Sequence, residues 1–273
     1  PISIYWVPTA LSIVANWKVL DYVSLPYMEK VLFAGEVMPV KQLNYWRRKM
    51  PELLYANLYG PTEVTDICAY YIVDRDFADS ETLPIGRACD NCDLIILRED
   101  GTEAAPGEIG ELCVRGSFVA GGYYGDPDKT DAAFIQNPLN PWYPEKIYKT
   151  GDLVRYNARG ELLYLGRRDF QIKHMGYRIE LGEVEAAAGA ASDVKSCVSI
   201  YDEVHDRIVL FYEGGPKNEN QMRVLLEGKL PPYMRPGECI RVKRMPENAN
   251  GKIDRKYLKS YYTDLMDGQA IGG

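Results

Sequence analysis

The sequence predicts a multidomain chain that is α/β at its start, β-rich in its middle and α+β at its end. Three observations carry this. A short apolar run, Val31 to Phe33, stops at Ala34-Gly35-Glu36; Pro39 to Arg48 follows with helical spacing, and Tyr55 to Tyr59 is a second short strand ending in Gly60-Pro61. That alternation of strand, loop and helix is the pattern of an α/β layer. From about Leu83 to Leu165 the texture becomes short alternating runs separated by turn formers, and after Arg167 helices and apolar strands return.

The elements follow in order. Pro1 to Leu20 is apolar but interrupted by Ser3, Thr9, Ser12, Asn16 and Lys18. A spanning helix needs about 20 mostly apolar residues, and no basic segment precedes a signal-like core. The stretch is therefore expected to be a buried strand and helix, and a chain that opens on Pro1 is not expected to begin at a translation start. In the middle stretch, Cys92 to Leu97, Gly110 to Arg115, Leu153 to Tyr156 and Leu162 to Leu165 read as strands. Asp100-Gly101 and Arg159-Gly160 are its hairpin signals. Beyond it, Phe170 to Ile179 reads as a hairpin around Gly176 and Glu183 to Ala191 as an Ala/Glu-rich helix. Cys197 to Tyr201, Ile208 to Tyr212 and Ile240 to Val242 read as strands, Gln221 to Leu230 as a helix, and a last helix starts at Arg255. The expected units are residues 1–82 (α/β), 83–168 (a β-rich barrel) and 169–265 (a compact α+β domain of common size).

Bulk properties narrow the function classes. The 273 residues are enough for two or more cores. A net charge of -7 argues against a general nucleic-acid binder, which shows a basic face. Six scattered cysteines are sparse for a disulfide scaffold and fit a reducing, cytoplasmic setting. The close pair Cys89 and Cys92 lacks two further ligands at zinc spacing, since His174 and His205 are distant in sequence, and reads as two small residues by a turn.

Three strings can carry chemistry. In Asn57-Leu58-Tyr59-Gly60-Pro61-Thr62-Glu63 a strand ends in a rigid turn that presents Thr62 and Glu63 at the strand's carboxyl edge, where α/β sheets place ligands. A hydroxyl beside a carboxylate suits a phosphate with Mg²⁺; the plain alternative is a Gly-Pro turn capped by Thr62. In Tyr148-Lys149-Thr150-Gly151-Asp152-Leu153 the carboxylate of Asp152 suits two ribose hydroxyls, although Gly-Asp is also ordinary turn chemistry. Tyr164 and then Leu165-Gly166-Arg167-Arg168-Asp169 follow, and Arg167 suits a phosphate or a surface ion pair. In Asn250-Gly251-Lys252-Ile253-Asp254-Arg255 a tight turn holds one lysine, either solvated or swung into a cleft to neutralise charge on a transferring phosphorus.

Together with Phe33-Ala34-Gly35-Glu36, Gly110 to Gly116, Gly166 to Glu185 and Leu230-Pro231-Pro232-Tyr233-Met234, these strings resemble the adenylate-forming superfamily. Within it they resemble the amino-acid adenylation domains of nonribosomal peptide synthetases and D-alanine:carrier-protein ligases. The resemblance runs from about residue 31 to 260. It implies the C-terminal part of a large adenylation domain, an α/β layer plus a small β-barrel, followed by a small mobile lid domain.

The resemblance also implies roles. Asn57 would meet the adenine amine, with Gly35 and Tyr59 lining the ring. Thr62 would bind the α-phosphate and Glu63 the Mg²⁺, while Asp152 would hold the ribose, Tyr164 would pack near the nucleotide and Arg167 would bind ribose or phosphate oxygens. Lys252 would bridge the reacting carboxylate, phosphate and ribose oxygen. Asp169 matches the hinge of the lid, and the loop around Gly176 would face the thiol of a phosphopantetheinylated carrier protein after the lid turns. ATP, AMP and Mg²⁺ are the implied ligands; neither nucleic acid nor membrane is an implied partner. Thr9, Leu32, Ala34, Leu58, Asp66 and Ile67 fall on the amino-acid pocket. Asp66, if buried, needs a partner and hints at a polar or cationic substrate; otherwise it caps a turn or faces water. Ala34 stands where D-alanine ligases usually carry cysteine.

The superfamily's Ser/Thr/Gly-rich phosphate loop and its amine-gripping acidic residue match nothing in these residues. The chain alone is therefore not expected to sustain adenylation. Two other functions stay open: an acyl- or aryl-CoA ligase with the same nucleotide machinery, and a noncatalytic nucleotide-binding or carrier-docking module. A serine hydrolase fares poorly, because no Gly-x-Ser-x-Gly elbow is present.

Overall fold

The computed structural model describes residues 2–168, 171–174, 177–191, 193–216, 218–249 and 251–270. Its first sheet is built from β1 (Ser3–Trp6), α1 (Pro8–Asn16), β2 (Lys30–Ala34), α2 (Val40–Lys49), β3 (Leu54–Tyr59), β4 (Ala69–Ile72) and β5 (Arg87–Ala88). The strand order is β1-β2-β3-β4-β5. The first three strands are parallel and the last two antiparallel to their neighbours. Pro8 opens α1, where a missing N–H leaves no bond unmade. Strand alternation sends Val31, Phe33 and Tyr55 to one face, into a core with Leu11, Leu43 and Trp46 of the two helices. The Trp46 Nε1–H donates to Leu11 O at 3.0 Å and ties α2 to α1.

The opposite face carries Tyr5, Leu32, Ala34 and Leu58, because Tyr5 pairs with Leu32 and Ala34 with Leu58 across the parallel register. The opening stretch forms the expected strand and helix, but the strand is not buried. Tyr5 and Trp6 are 49% and 43% exposed, since β1 is the sheet edge and is hydrogen-bonded on one side only.

A second, antiparallel sheet forms a half-barrel from β6 (Cys92–Leu97), β7 (Gly110–Gly116), β8 (Phe134–Gln136), β9 (Lys146–Tyr156) and β10 (Leu162–Arg167), with α3 (Pro127–Ala133) before β8. The path is β10-β9-β7-β6, and β8 lies on β9. Both predicted turns form. Gly101 N–H donates to Arg98 O at 3.0 Å, and Gly160 N–H to Asn157 O at 3.0 Å.

The C-terminal part begins with the hairpin β11 (Gln171–His174) and β12 (Tyr177–Glu180), then α4 (Leu181–Gly189), β13 (Val194–Asp202), β14 (Arg207–Gly214), α5 (Glu219–Glu227), β15 (Glu238–Val242) and α6 (Arg255–Ala270). Its three-stranded sheet, β13-β14-β15, is covered on both faces. Ile208, Leu210 and Tyr212 pack with Val184, Ala188 and Leu226 of α4 and α5. The alternate residues Val209 and Phe211 pack with Leu258 and Tyr262 of α6. Among the described residues, no helix is long and apolar enough to cross a membrane.

Candidate active site

The turn after β3 is held by a close backbone approach. A β-carbon on Gly60 would lie 1.9 Å from the Asp66 carbonyl oxygen, so only glycine lets residues 65–67 fold back onto it. Thr62–Val64 then forms a 3-10 turn with Thr62 exposed and Glu63 half-buried. The Tyr123 hydroxyl donates to Glu63 Oε1 at 2.7 Å, and Ala120 N–H donates to the Glu63 carbonyl at 2.8 Å. Burial alone would raise the Glu63 carboxyl. The bonds from Tyr123 and from its own backbone outweigh that, with Tyr148 and Lys129 adding to them, so the group lies below the usual carboxylate value. An ionised carboxylate held in this way suits a cation beside phosphate oxygens, as magnesium prefers.

Thr150-Gly151-Asp152 lies inside β9, not in a turn between elements. Between the pairs Glu111–Leu153 and Cys113–Lys149, β9 carries more residues than β7, a bulge in which Gly151 takes φ +73°. β10 bulges opposite it between Tyr164 and Gly166, which makes Arg167 the cross-strand partner of Asp152. Arg167 Nη1 lies 3.6 Å from Asp152 Oδ1 and donates to Thr150 O at 2.7 Å. The Thr150 hydroxyl accepts from Asp152 N–H at 3.0 Å. The Tyr59 hydroxyl donates to Asp152 Oδ2, and its ring stands 6.3 Å from that of Tyr164. Burial, then the neighbouring Asp152 carboxylate, push both tyrosine hydroxyls well up. The end of β3 and the turn after it thus meet β9 twice, through Tyr59 on Asp152 and through Glu63 beside Tyr148.

Asn57 is 6% exposed and its side-chain amide donates to Pro84 O at 2.8 Å. Gly35 follows β2 with φ +91°, and the Lys252 ammonium reaches to 3.0 Å from where a Gly35 β-carbon would stand. The lysine's turn is closed by Asn248 N–H to Lys252 O at 2.7 Å and Lys252 N–H to Asn248 Oδ1 at 3.2 Å. Among the described residues no carboxylate pairs with this ammonium.

The family described as AMP-binding enzyme matches residues 1–124. Tyrocidine synthase 2 of Brevibacillus parabrevis is 37% identical over 244 residues, 88% of this chain and 7% of that protein. The chain belongs to the adenylate-forming superfamily. Among solved structures, the anthranilate CoA ligase AuaEII in complex with anthranoyl-AMP shares the fold at TM-score 0.83 and 22% identity, over 98% of this chain and 50% of that one. An NRPS protein containing adenylation and PCP domains, bound to a vinylsulfonamide inhibitor, is 30% identical at TM-score 0.57, over 94% of this chain and 44% of that one. The chain therefore spans about half the length of these solved relatives.

The positions expected at the amino-acid pocket divide. Leu32, Ala34 and Leu58 share the face of the first sheet opposite the helices, and Thr9 is the second residue of α1. Ile67 follows the left-handed pair Thr65 (φ 56°) and Asp66 (φ 80°). Asp66 is exposed, so of the two readings left open by the sequence it takes the one that faces water. Its partner is the Tyr5 hydroxyl, at 3.2 Å from Oδ2 and 3.4 Å from Oδ1. Burial and the Asp66 carboxylate push that hydroxyl up to about 12.

Asp169 and Gly176, named from the sequence as hinge and thiol-facing loop, lie outside the described residues, as does Asn250. Sequence reasoning missed Tyr123, Tyr5 and Glu36. A lone tyrosine sixty residues from its carboxylate leaves no local signal; Glu36, inside a quoted string, was the one that could have been found.

Proposed function

We propose that this chain supplies the nucleotide-holding edge and the mobile lid of an enzyme that activates an amino acid as aminoacyl-AMP and passes it to a phosphopantetheine carrier thiol. The carrying observation is the Lys252 ammonium standing over Gly35 at the end of β2, the strand paired with β3, whose last residue Tyr59 donates to Asp152. In this reading Asn57 meets the adenine amine while Gly35 and Tyr59 line the ring. Asp152 accepts the ribose hydroxyls, Tyr164 packs beside the nucleotide and Arg167 takes ribose or phosphate oxygens. Thr62 binds the α-phosphate, and Glu63 would hold Mg²⁺, which neutralises phosphate charge when bound.

The substrate carboxylate oxygen bonds to the α-phosphorus as the bond to pyrophosphate breaks, and Lys252 neutralises the charge that develops there. The lid then turns, and the carrier thiol, losing its proton to solvent, attacks the acyl carbon as AMP leaves. Three units, 1–82, 83–168 and 169–265, divide this work in a cytoplasmic enzyme. Asp66, with Tyr5 at its carboxylate, favours a substrate side chain that donates a hydrogen bond. The fold shared with a CoA ligase means that the fold alone does not choose the acceptor thiol; dependence on free CoA would favour the aryl- or acyl-CoA reading.

The test is Lys252→Ala in the intact enzyme. Amino-acid-dependent ATP–pyrophosphate exchange should fall by roughly a hundredfold or more, as for loss of a transition-state charge contact, while nucleotide binding persists. A wild-type enzyme that answers to no amino acid in a full panel, or a lysine variant that exchanges normally, refutes the reading.

A further inference from the structure

We propose that Glu36 is a positioning residue, a carboxylate latch that couples the amino-acid pocket to the turn carrying Lys252; the role in catalysis rests on the function proposed above. Glu36 follows Gly35 at the end of β2 and is half-buried. Its two oxygens face different parts of the chain. Oε2 accepts from the Thr9 backbone N–H at 3.1 Å and from the Thr9 hydroxyl at 2.6 Å. Oε1 accepts from the backbone N–H of Ile253 at 3.4 Å, 217 residues away in sequence. Thr9 belongs to the pocket, and Ile253 directly follows Lys252.

The unequal lengths define how the latch works. Charge-assisted bonds are shorter and stronger than neutral ones, and strength falls as the distance grows. Glu36 therefore grips the first sheet firmly and the lid lightly, and stays with the sheet when the lid turns. The Lys252 turn is closed through Asn248, and the bond at Ile253 ties that closed turn to the end of β2 beside Gly35. Further bonds between these parts engage other segments of the lid: Lys41 Nζ donates to Ala191 O at 2.8 Å and Val194 O at 3.4 Å, and Asn16 Nδ2 and Gln42 Nε2 each to Lys195 O at 3.5 Å. Of these side chains, Glu36 is the one bonded both to Thr9 and to the lysine turn.

A latch of this kind serves the first half-reaction and not the second. Glu36→Gln keeps the shape but gives up an acceptor, and Glu36→Asp keeps the charge but is too short to span both partners. In the intact enzyme both should lower kcat for pyrophosphate exchange by roughly tenfold, the scale of one hydrogen bond, with KM for ATP changed less than about twofold. Transfer from preformed aminoacyl-AMP to the carrier thiol should be unchanged or faster, which a merely weakened fold would not produce. Amide exchange at Ile253 should accelerate by roughly tenfold. Thr9→Val, which removes one bond on the sheet side, should move the same readouts less. An active wild type whose Glu36 variants match it in all three readouts overturns the proposal, as do Glu36 variants that both fail to fold. An inactive wild type sinks the function above, and amide exchange at Ile253 then decides the latch by itself.

Discussion

The Lys252 ammonium stands 3.0 Å from the point that a β-carbon on Gly35 would occupy, and Gly35 holds φ +91°. Two parts of the chain more than two hundred residues apart thus meet at a glycine, for two separate physical reasons. A left-handed backbone costs a side-chain-bearing residue about 1–2 kcal/mol, and the added methyl meets the tip of a flexible lysine. Gly35→Ala should therefore lower the denaturation midpoint by that backbone strain alone, because the lysine can swing aside. Pyrophosphate exchange in the intact enzyme should fall further, by roughly tenfold. A variant with lost stability but wild-type exchange would separate Lys252 from this place.

Asp152 is buried with three kinds of partner: the Tyr59 hydroxyl, the Arg167 guanidinium and the Thr150 hydroxyl on its own N–H. Removing one partner of a buried polar group costs about 1–3 kcal/mol. Tyr59→Phe leaves Arg167 in place and should sit at the low end, about 1 kcal/mol in chemical denaturation. Asp152→Asn keeps the shape but withdraws the charge facing Arg167, and should weaken nucleotide binding in calorimetry by more than about tenfold. Equal effects of the two variants on nucleotide binding would contradict the ribose role of Asp152.

Tyr123→Phe tests how Glu63 is held. The folded-state value of Glu63 lies below its ordinary 4.5. A depressed carboxyl stabilises the fold above its unfolded value and loses that contribution as pH falls through the folded one. Wild type should therefore exceed Tyr123→Phe in stability by a constant margin above about pH 5, and the two curves should converge in acid. Denaturant midpoints across that range check this. A gap that widens in acid would reverse the sign and rule out a hydrogen bond to the ionised form.

Much of the fold was legible because alternation and turn chemistry are local. Val31 and Phe33 announced a strand, and Arg159-Gly160 a hairpin, from neighbours within a few residues. The opening strand misled, since apolar text does not say which strand stands at a sheet edge. Tyr5 is half-exposed for that reason, and its hydroxyl is free to meet Asp66.

The order of the strings alone determined the superfamily, the identity of the charged groups and the turn that carries Glu63, since these are properties of short runs. Only the tertiary structure decided what those groups touch. Paired bulges in β9 and β10 set Asp152 opposite Arg167, and folding of the last unit against the first brought Glu36 to Ile253 and Lys252 over Gly35. Hydrogen bonds and close approaches act over about 3 Å in space, whatever the separation along the chain, so no stretch of sequence contains them.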